Sequence, residues 1–309
     1  MDLSAFTSKN WENAYFDSVV PEKCKSEPCV LGVDEAGRGP VLGPMVYGIC
    51  YCPISKHEDL KSAGVADSKT LTEEQREKLF TKIHENNDYI GWSLEVISPV
   101  YISACMYKRP KVSLNEISHN SAISLIKRAI AAGIQVSEVY LDTVGPPEKY
   151  EAKLQDIFPT LKVTVAKKAD ALYPCVSGAS ICAKVARDRA LSSWEFPEGV
   201  EVKNWGSGYP GDPITKNFLM NSLDRVFGFP GLVRFSWSTA EKILEEKCVP
   251  TTWKDDEEDD EKKNTPSVLD YFAKKQKSLS DEAVKSPPAP KRRRHHYFTE
   301  RCLAPVTNF

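Results

Sequence analysis

Four acidic residues stand where carboxylates can do chemistry: Asp34 and Glu35 side by side, then Asp142 and Asp170 far downstream. The first pair follows an apolar run at 29–33 that reads as a buried strand. Two like charges ~4 Å apart repel by about 4 kcal/mol at an effective dielectric near 20, so a cation or a retained proton would relieve them. A regular strand sends neighbouring side chains to opposite faces. For both carboxylates to serve one site, the strand is expected to end at Asp34 or to bulge, with Ala36-Gly37 as the break. Gly37 and Gly39, on either side of Arg38, let main-chain N–H groups approach a ligand with no Cβ in the way. Taken singly, an Asp-Glu pair reads as a solvated turn, and Asp142 or Asp170 as a helix cap. Their shared placement argues otherwise, because in open α/β sheets ligand sites lie outside the carboxyl ends of strands. Carboxylates with no His or Cys beside them suit Mg²⁺ or Mn²⁺ rather than zinc. Two such ions ~3.5–4 Å apart are the apparatus of phosphoryl transfer.

The elements that must position these residues are legible from periodicity. Strands are expected at 29–34, 45–52 and 89–97, an antiparallel opening. Thr72-Glu73-Glu74-Gln75 is a capping box that starts a helix running to about residue 86. Ser98-Pro99 starts another helix, and a longer one covers 114–132, with Ala122, Leu125, Ile126, Ala129 and Ile130 on one stripe and Gly133 as its stop. A strand at 136–141 ends at Asp142, and a second at 161–166 leads to Asp170 and a small-residue helix over 176–189. Strand, helix, strand, helix implies a parallel section, so the fold is a mixed α/β sheet. Helices at 215–227 and 239–247 complete the body. The expected divisions are an N-terminal arm at 1–27, a body at 28–250 and a charged tail at 251–309 with partner-binding segments. Trp11, Tyr15 and Phe16 of the arm are free to dock on a partner or on the body.

The 309-residue chain is 41% hydrophobic and holds 12 Phe, 12 Tyr and 6 Trp, enough for a sizeable core. Its net charge of −2 owes its sign to the acidic run at 255–261, without which 41 basic residues face 36 acidic ones. That mildly basic remainder is compatible with a polyanionic partner. Nine cysteines, Cys50 and Cys52 on one side of a strand among them, include no C-x-x-C pair and read as buried free thiols. With no secretory signal pattern and no apolar run of membrane-spanning length, the expectation is an intracellular protein without a membrane partner.

Asp34-Glu35-Ala36-Gly37-Arg38-Gly39-Pro40, Asp67-Ser68-Lys69, Leu141-Asp142, Lys168-Ala169-Asp170, Ala179-Ser180-Ile181-Cys182-Ala183-Lys184 and Gly206-Ser207-Gly208-Tyr209-Pro210 resemble the motif series of type 2 ribonuclease H, in order and spacing, over roughly 28–250. The resemblance implies a ribonuclease H-like mixed five-stranded sheet flanked by helices, with a C-terminal helical extension and tail. It implies hydrolysis of RNA in RNA/DNA hybrids and incision 5′ of single ribonucleotides in duplex DNA, leaving 5′-phosphate and 3′-hydroxyl ends. Asp34, Glu35, Asp142 and Asp170 would hold two Mg²⁺ or Mn²⁺ ions. Gly37, Arg38 and Gly39 would read the 2′-hydroxyl, and Tyr209 would pack on the sugar of the next deoxynucleotide. Lys69, Ser180 and Lys184 would contact phosphates, whereas Arg187, Asp188 and Arg189 read as helix-surface charges. The insert near 107–121 and the tail resemble the eukaryotic catalytic A subunit, which works with B and C subunits. Lys291-Arg292-Arg293-Arg294 reads either as a solvated basic tail or as a nuclear localisation signal, and a nuclear repair enzyme favours the second. The residues 267–272 faintly resemble a sliding-clamp docking peptide but read better as a contact with a partner subunit. Two rival readings are another carboxylate-metal nuclease or strand transferase, which would lack Gly-Arg-Gly and the Tyr209 motif, and a non-catalytic hybrid-binding subunit, which would have lost at least one of the four acids.

Overall fold

Apolar residues on both faces of a strand require cover on both faces, and the sheet of this protein is covered on both. The computed structural model describes residues 1–62, 64, 71–202 and 204–250. Six strands form one sheet: β1 (Ala14–Asp17), β2 (Cys29–Ala36), β3 (Met45–Pro53), β4 (Gly91–Ile97), β5 (Val136–Asp142) and β6 (Lys162–Ala166). Their order is β1-β4-β3-β2-β5-β6. The pairs β1–β4, β4–β3 and β3–β2 are antiparallel, while β2–β5 and β5–β6 are parallel. The helices in chain order are α1 (Ser4–Thr7), α2 (Glu22–Ser26), α3 (His57–Ser62), α4 (Glu73–Glu85), α5 (Pro99–Tyr107), α6 (Leu114–Ala131), α7 (Pro147–Ile157), α8 (Ala169–Leu172), α9 (Pro174–Ser192), α10 (Pro213–Asn221) and α11 (Ser238–Lys247).

Strand alternation divides the core. Val30, Val46, Cys50, Cys52 and Leu94 pack with α9 on one face. Leu31, Val33, Tyr47, Ile49 and Leu141 pack on the other with Leu125 and Ile126 of α6 and with Tyr150 and Leu154 of α7. The small residues of α9 let it lie directly on the sheet. A Cβ added to Gly32 would sit 2.2 Å from the Cys175 carbonyl carbon, so only glycine permits this approach. The expected capping box of α4 is present: Gln75 N donates to Thr72 Oγ1 at 3.3 Å, and Thr72 N donates to Gln75 Oε1 at 2.8 Å.

The structure differs from expectation in four places. The sheet has six strands rather than five, because residues expected as an arm supply β1, while Leu3 and Phe6 are buried and the Phe6 ring meets Trp194 edge-on at 6.1 Å. Neither break nor bulge occurs at Asp34, since β3 continues to pair β2 through Asp34↔Gly48, Glu35↔Tyr47 and Ala36↔Val46. The helix expected at 215–227 starts and stops earlier. Asp212 caps it by accepting from Ile214 N at 2.9 Å, with Pro213 in its first turn, and Asp224 accepts from Val226 N and Phe227 N in a separate turn. Finally, β4 begins at Gly91, two residues later than expected. By contacts the chain divides into two units, Met1–Pro250 and Thr251–Phe309. Lys69, the acidic run, the segment 267–272 and the basic run 291–294 lie outside the described residues. Among the described residues no helix is long and apolar enough to cross a membrane.

Candidate active site

The pairing of β2 with β5 ends at Val33↔Leu141, while its pairing with β3 goes on to Ala36. Beyond that point Asp34, Glu35 and, from the end of β5, Asp142 open into one cleft of about 620 Å³, whose other walls include Gly37, Lys184, Arg187 and Tyr209. The divergence of β5, rather than a broken strand, lets consecutive carboxylates share a site. Asp34 is buried, and burial, then the charge of Glu35, push its carboxyl up to about 8. Asp142 adds to that pressure, and hydrogen bonds from Ser180 and the Glu35 amide, the latter at 2.8 Å, oppose it. Asp142 Oδ1 accepts from Thr143 N at 2.9 Å and from Ala169 N at 3.3 Å. The second bond ties the end of β5 to α8, where Asp170 is buried next along the chain. Lys168, in the left-handed region at φ 56°, makes the turn between β6 and α8.

Ser180 is fully buried on α9, so it stands behind the cleft rather than on its surface; it bonds Asp34 and accepts from Lys184 Nζ at 2.9 Å. Lys184, one turn on, lines the cleft. The Arg38 side chain turns away to α6, where it donates to Asn115 Oδ1 and to Ser118 Oγ. Its guanidinium is thereby occupied and its main chain is what the loop presents. The Tyr209 loop is sewn to the same place. Gly208 O accepts from Val41 N at 2.8 Å, and a Cβ on Gly39 would lie 3.3 Å from Tyr209 Cε1. Asp212 braces that loop through Ser207 N and Ser207 Oγ, which hold its carboxyl at about 2. The tyrosine ring is left half exposed at the mouth of the cleft.

The ribonuclease HII family model matches residues 31–240, from within β2 to the first turn of α11. The chain belongs to the ribonuclease HII family. The A subunit of ribonuclease H2 from rat is 54% identical over 257 residues, covering 82% of this chain and 85% of the rat protein. The human protein of the same name is also 54% identical, over 82% of this chain and 86% of its own length. Among solved structures, ribonuclease H2 from Pyrococcus horikoshii superposes with a TM-score of 0.60 at 35% identity, covering 71% of this chain and 98% of that one. Family and fold together support a ribonuclease H function for this chain.

In this ribonuclease HII fold two arginines matter that sequence reasoning did not place. Arg187 was expected on the helix surface; instead it lines the cleft, packed against Gly37, whose added Cβ would come within 2.2 Å of Arg187 Nε. Gly37 also has φ +76°, so both crowding and backbone require glycine. Burial lowers the Arg187 pKa, and its Nε and Nη2 make no hydrogen bond. A signal was available, because 180, 184 and 187 fall on one helical face. Asp188 pairs with Arg76 at 2.8 Å, and Arg189 forms a two-pronged bond to Glu77 at 2.8 and 2.6 Å, so these charges clamp α9 to α4. The second arginine, Arg234, is fully buried under the glycine loop, in a segment with no periodic pattern to reveal it. His119 stacks on Tyr150 at 3.9 Å and meets Val144 O at 3.1 Å, supporting the loop after Asp142.

The donor set fits hard divalent cations in kind: the cleft acids are carboxylates, and burial, reinforced by the neighbouring charge of Glu35, keeps Asp34 protonated near neutrality. Among the described residues no three Asp, Glu, His or Cys side chains are already drawn into one metal shell.

Proposed function

We propose that this chain is the catalytic subunit of an endoribonuclease that hydrolyses RNA in RNA/DNA hybrids and cuts 5′ of single ribonucleotides in duplex DNA. The observation that carries the reading is the meeting of Gly39 and Tyr209 at the mouth of a carboxylate cleft. A loop of glycines offers main-chain groups to a ribose 2′-hydroxyl, the feature that separates RNA from DNA. The half-exposed Tyr209 ring offers a face to the neighbouring deoxyribose, so the two together span an RNA-to-DNA junction.

Asp34, Glu35, Asp142 and Asp170 would hold Mg²⁺ or Mn²⁺, two ions in all. Bound there, such ions supply charge stabilisation for in-line displacement at phosphorus. Lys184 and Lys69 neutralise backbone phosphates, Ser180 orients Asp34 and Lys184, and no histidine is assigned as general base. The products are 5′-phosphate and 3′-hydroxyl ends. The naming of the relatives as A subunits supports assembly with B and C subunits. The basic run at 291–294 supports work in the nucleus.

The decisive assay uses a DNA duplex with one ribonucleotide, with and without Mg²⁺, for the chain alone and with partner subunits. A Mg²⁺-dependent cut on the 5′ side of the ribonucleotide is the expected result. Cleavage of long hybrids only would remove the junction role of Tyr209. Absence of any cleavage with the partners present would leave a hybrid-binding subunit.

A further inference from the structure

Three consecutive carbonyls of the glycine loop are held from behind by a stretch of chain almost two hundred residues away. Arg234 Nη2 donates to Gly37 O at 2.6 Å and Nη1 to Arg38 O at 3.0 Å, while Trp237 Nε1 donates to Gly39 O at 3.0 Å. Arg234 Nε takes Gly43 O at 2.9 Å, and its own amide takes Val41 O at 2.9 Å. The guanidinium lies 4.8 Å from the Trp237 ring centre, so the two side chains also support each other. Arg234 is fully buried, and its guanidinium bonds run to main-chain carbonyls. Burying a cation is costly, and an apolar side chain would fill the same space at less cost. What an apolar residue could not do is hold carbonyls.

A trans peptide points the C=O of one residue and the N–H of the next in opposite directions. Drawing the Gly37 and Arg38 carbonyls toward Arg234 therefore turns the Arg38 and Gly39 N–H groups away from it. Neither amide donates to a group of this chain among the described residues. On that outer side they are open to a ligand, with Tyr209 against Gly39 as the neighbouring wall.

We propose that Arg234 and Trp237 are positioning residues for sugar selection: Arg234, through the Gly37 and Arg38 carbonyls, orients the Arg38 and Gly39 amides, and Trp237, through the Gly39 carbonyl, anchors the same residue on its Pro40 side, so that the two amides keep the spacing that tells ribose from deoxyribose. This rests on the assignment of the glycine loop as the 2′-hydroxyl reader. Both residues act through the loop and neither touches the reacting atoms.

The test is equilibrium binding at one fixed salt concentration, since phosphate contacts make affinity salt-dependent. The full-length chain is titrated with a duplex containing one ribonucleotide and with the same duplex entirely of DNA, alongside thermal melts. Trp237→Phe keeps the ring beside Arg234 and deletes one N–H, whereas Arg234→Lys keeps the charge and deletes the fork. Loss of one such bond is expected to lower the ribo-to-deoxy preference of Trp237→Phe by about three- to tenfold, and Arg234→Lys is expected to lose more. All-DNA binding stays at the wild-type value in both. If folded Trp237→Phe and Arg234→Lys keep the wild-type preference, or weaken on both duplexes alike, the brace has no part in sugar selection. Should Arg234→Lys fail to fold, Trp237→Phe decides by the same criterion. A wild-type chain with no preference for the ribonucleotide duplex would instead remove the loop's assignment as reader, and the brace with it.

Discussion

Ionising Asp34 inside the fold means placing a second negative charge beside Glu35 where water is largely excluded, and its carboxyl accordingly holds its proton up to about pH 8. An unfolded aspartate loses that proton near pH 4, so between those values the native state binds more protons than the unfolded one. In chelator, stability should therefore fall as pH rises from about 4 to 8 and level off beyond. Asp34→Asn cannot ionise and should melt higher than wild type at pH 8.5, by an equivalent of roughly 3–5 kcal/mol, with little difference at pH 4. Urea unfolding at the two pH values checks this; parallel wild-type and variant curves would refute the crowded-carboxylate reading. In the presence of Mg²⁺, Asp34→Ala or Asp142→Ala should lose roughly a thousandfold in cleavage, about 4 kcal/mol of transition-state stabilisation, while remaining folded by circular dichroism. Tyr209→Ala should slow cutting at a lone ribonucleotide more than cutting of a long hybrid, because only the former depends on reading a junction; equal losses would count against that role. Identity and order of the acids were legible in the sequence, since chemical type and spacing survive in one dimension. The burial of Ser180 and the inward turn of Arg187 were not, although spacing along α9 hinted at the second.

At the scale of elements, α9 decides the site, because it carries Ser180, Lys184 and Arg187 and lies directly on β2. Gly32→Ala drives a methyl group into the Cys175 main chain, which cannot move without moving the helix. A loss of about 3 kcal/mol or more in thermal or urea unfolding is expected, together with lower cleavage from displacement of Lys184. A neutral Gly32→Ala would show that α9 does not need this close approach. The strands and most helices were legible because periodicity and caps are local: Thr72-Glu73-Glu74-Gln75 announced α4 and built the box it promised. The end of α10 was missed because an apolar pattern ran on past Asn221, while the Asp224 side chain offered the backbone a competing turn. The expected break in β2 was missed for a different reason. Strand alternation is a rule about one strand, and what lets Asp34 and Glu35 share a cleft is the departure of its neighbour β5.

Across the whole molecule, residues 1–17 are part of the body: they bury Leu3 and Phe6 and cover the edge of β4 with β1. Deleting them should cost roughly 3–6 kcal/mol for two large side chains and leave a bare edge strand, so a lower melting temperature and increased light scattering are expected. An unchanged melt would return this segment to the status of a loose arm. By itself the sequence determined the class of fold, through local period and the order of its elements, and its resemblance to the family's motif series marked the acids, the glycine loop and Tyr209 as candidates. Only the tertiary structure decided the sixth strand, the sharing of one cleft by consecutive carboxylates, and the brace of Arg234 and Trp237 under Gly37–Gly39. Each of these is a contact between segments far apart in sequence, and such contacts leave no local pattern until the chain has folded.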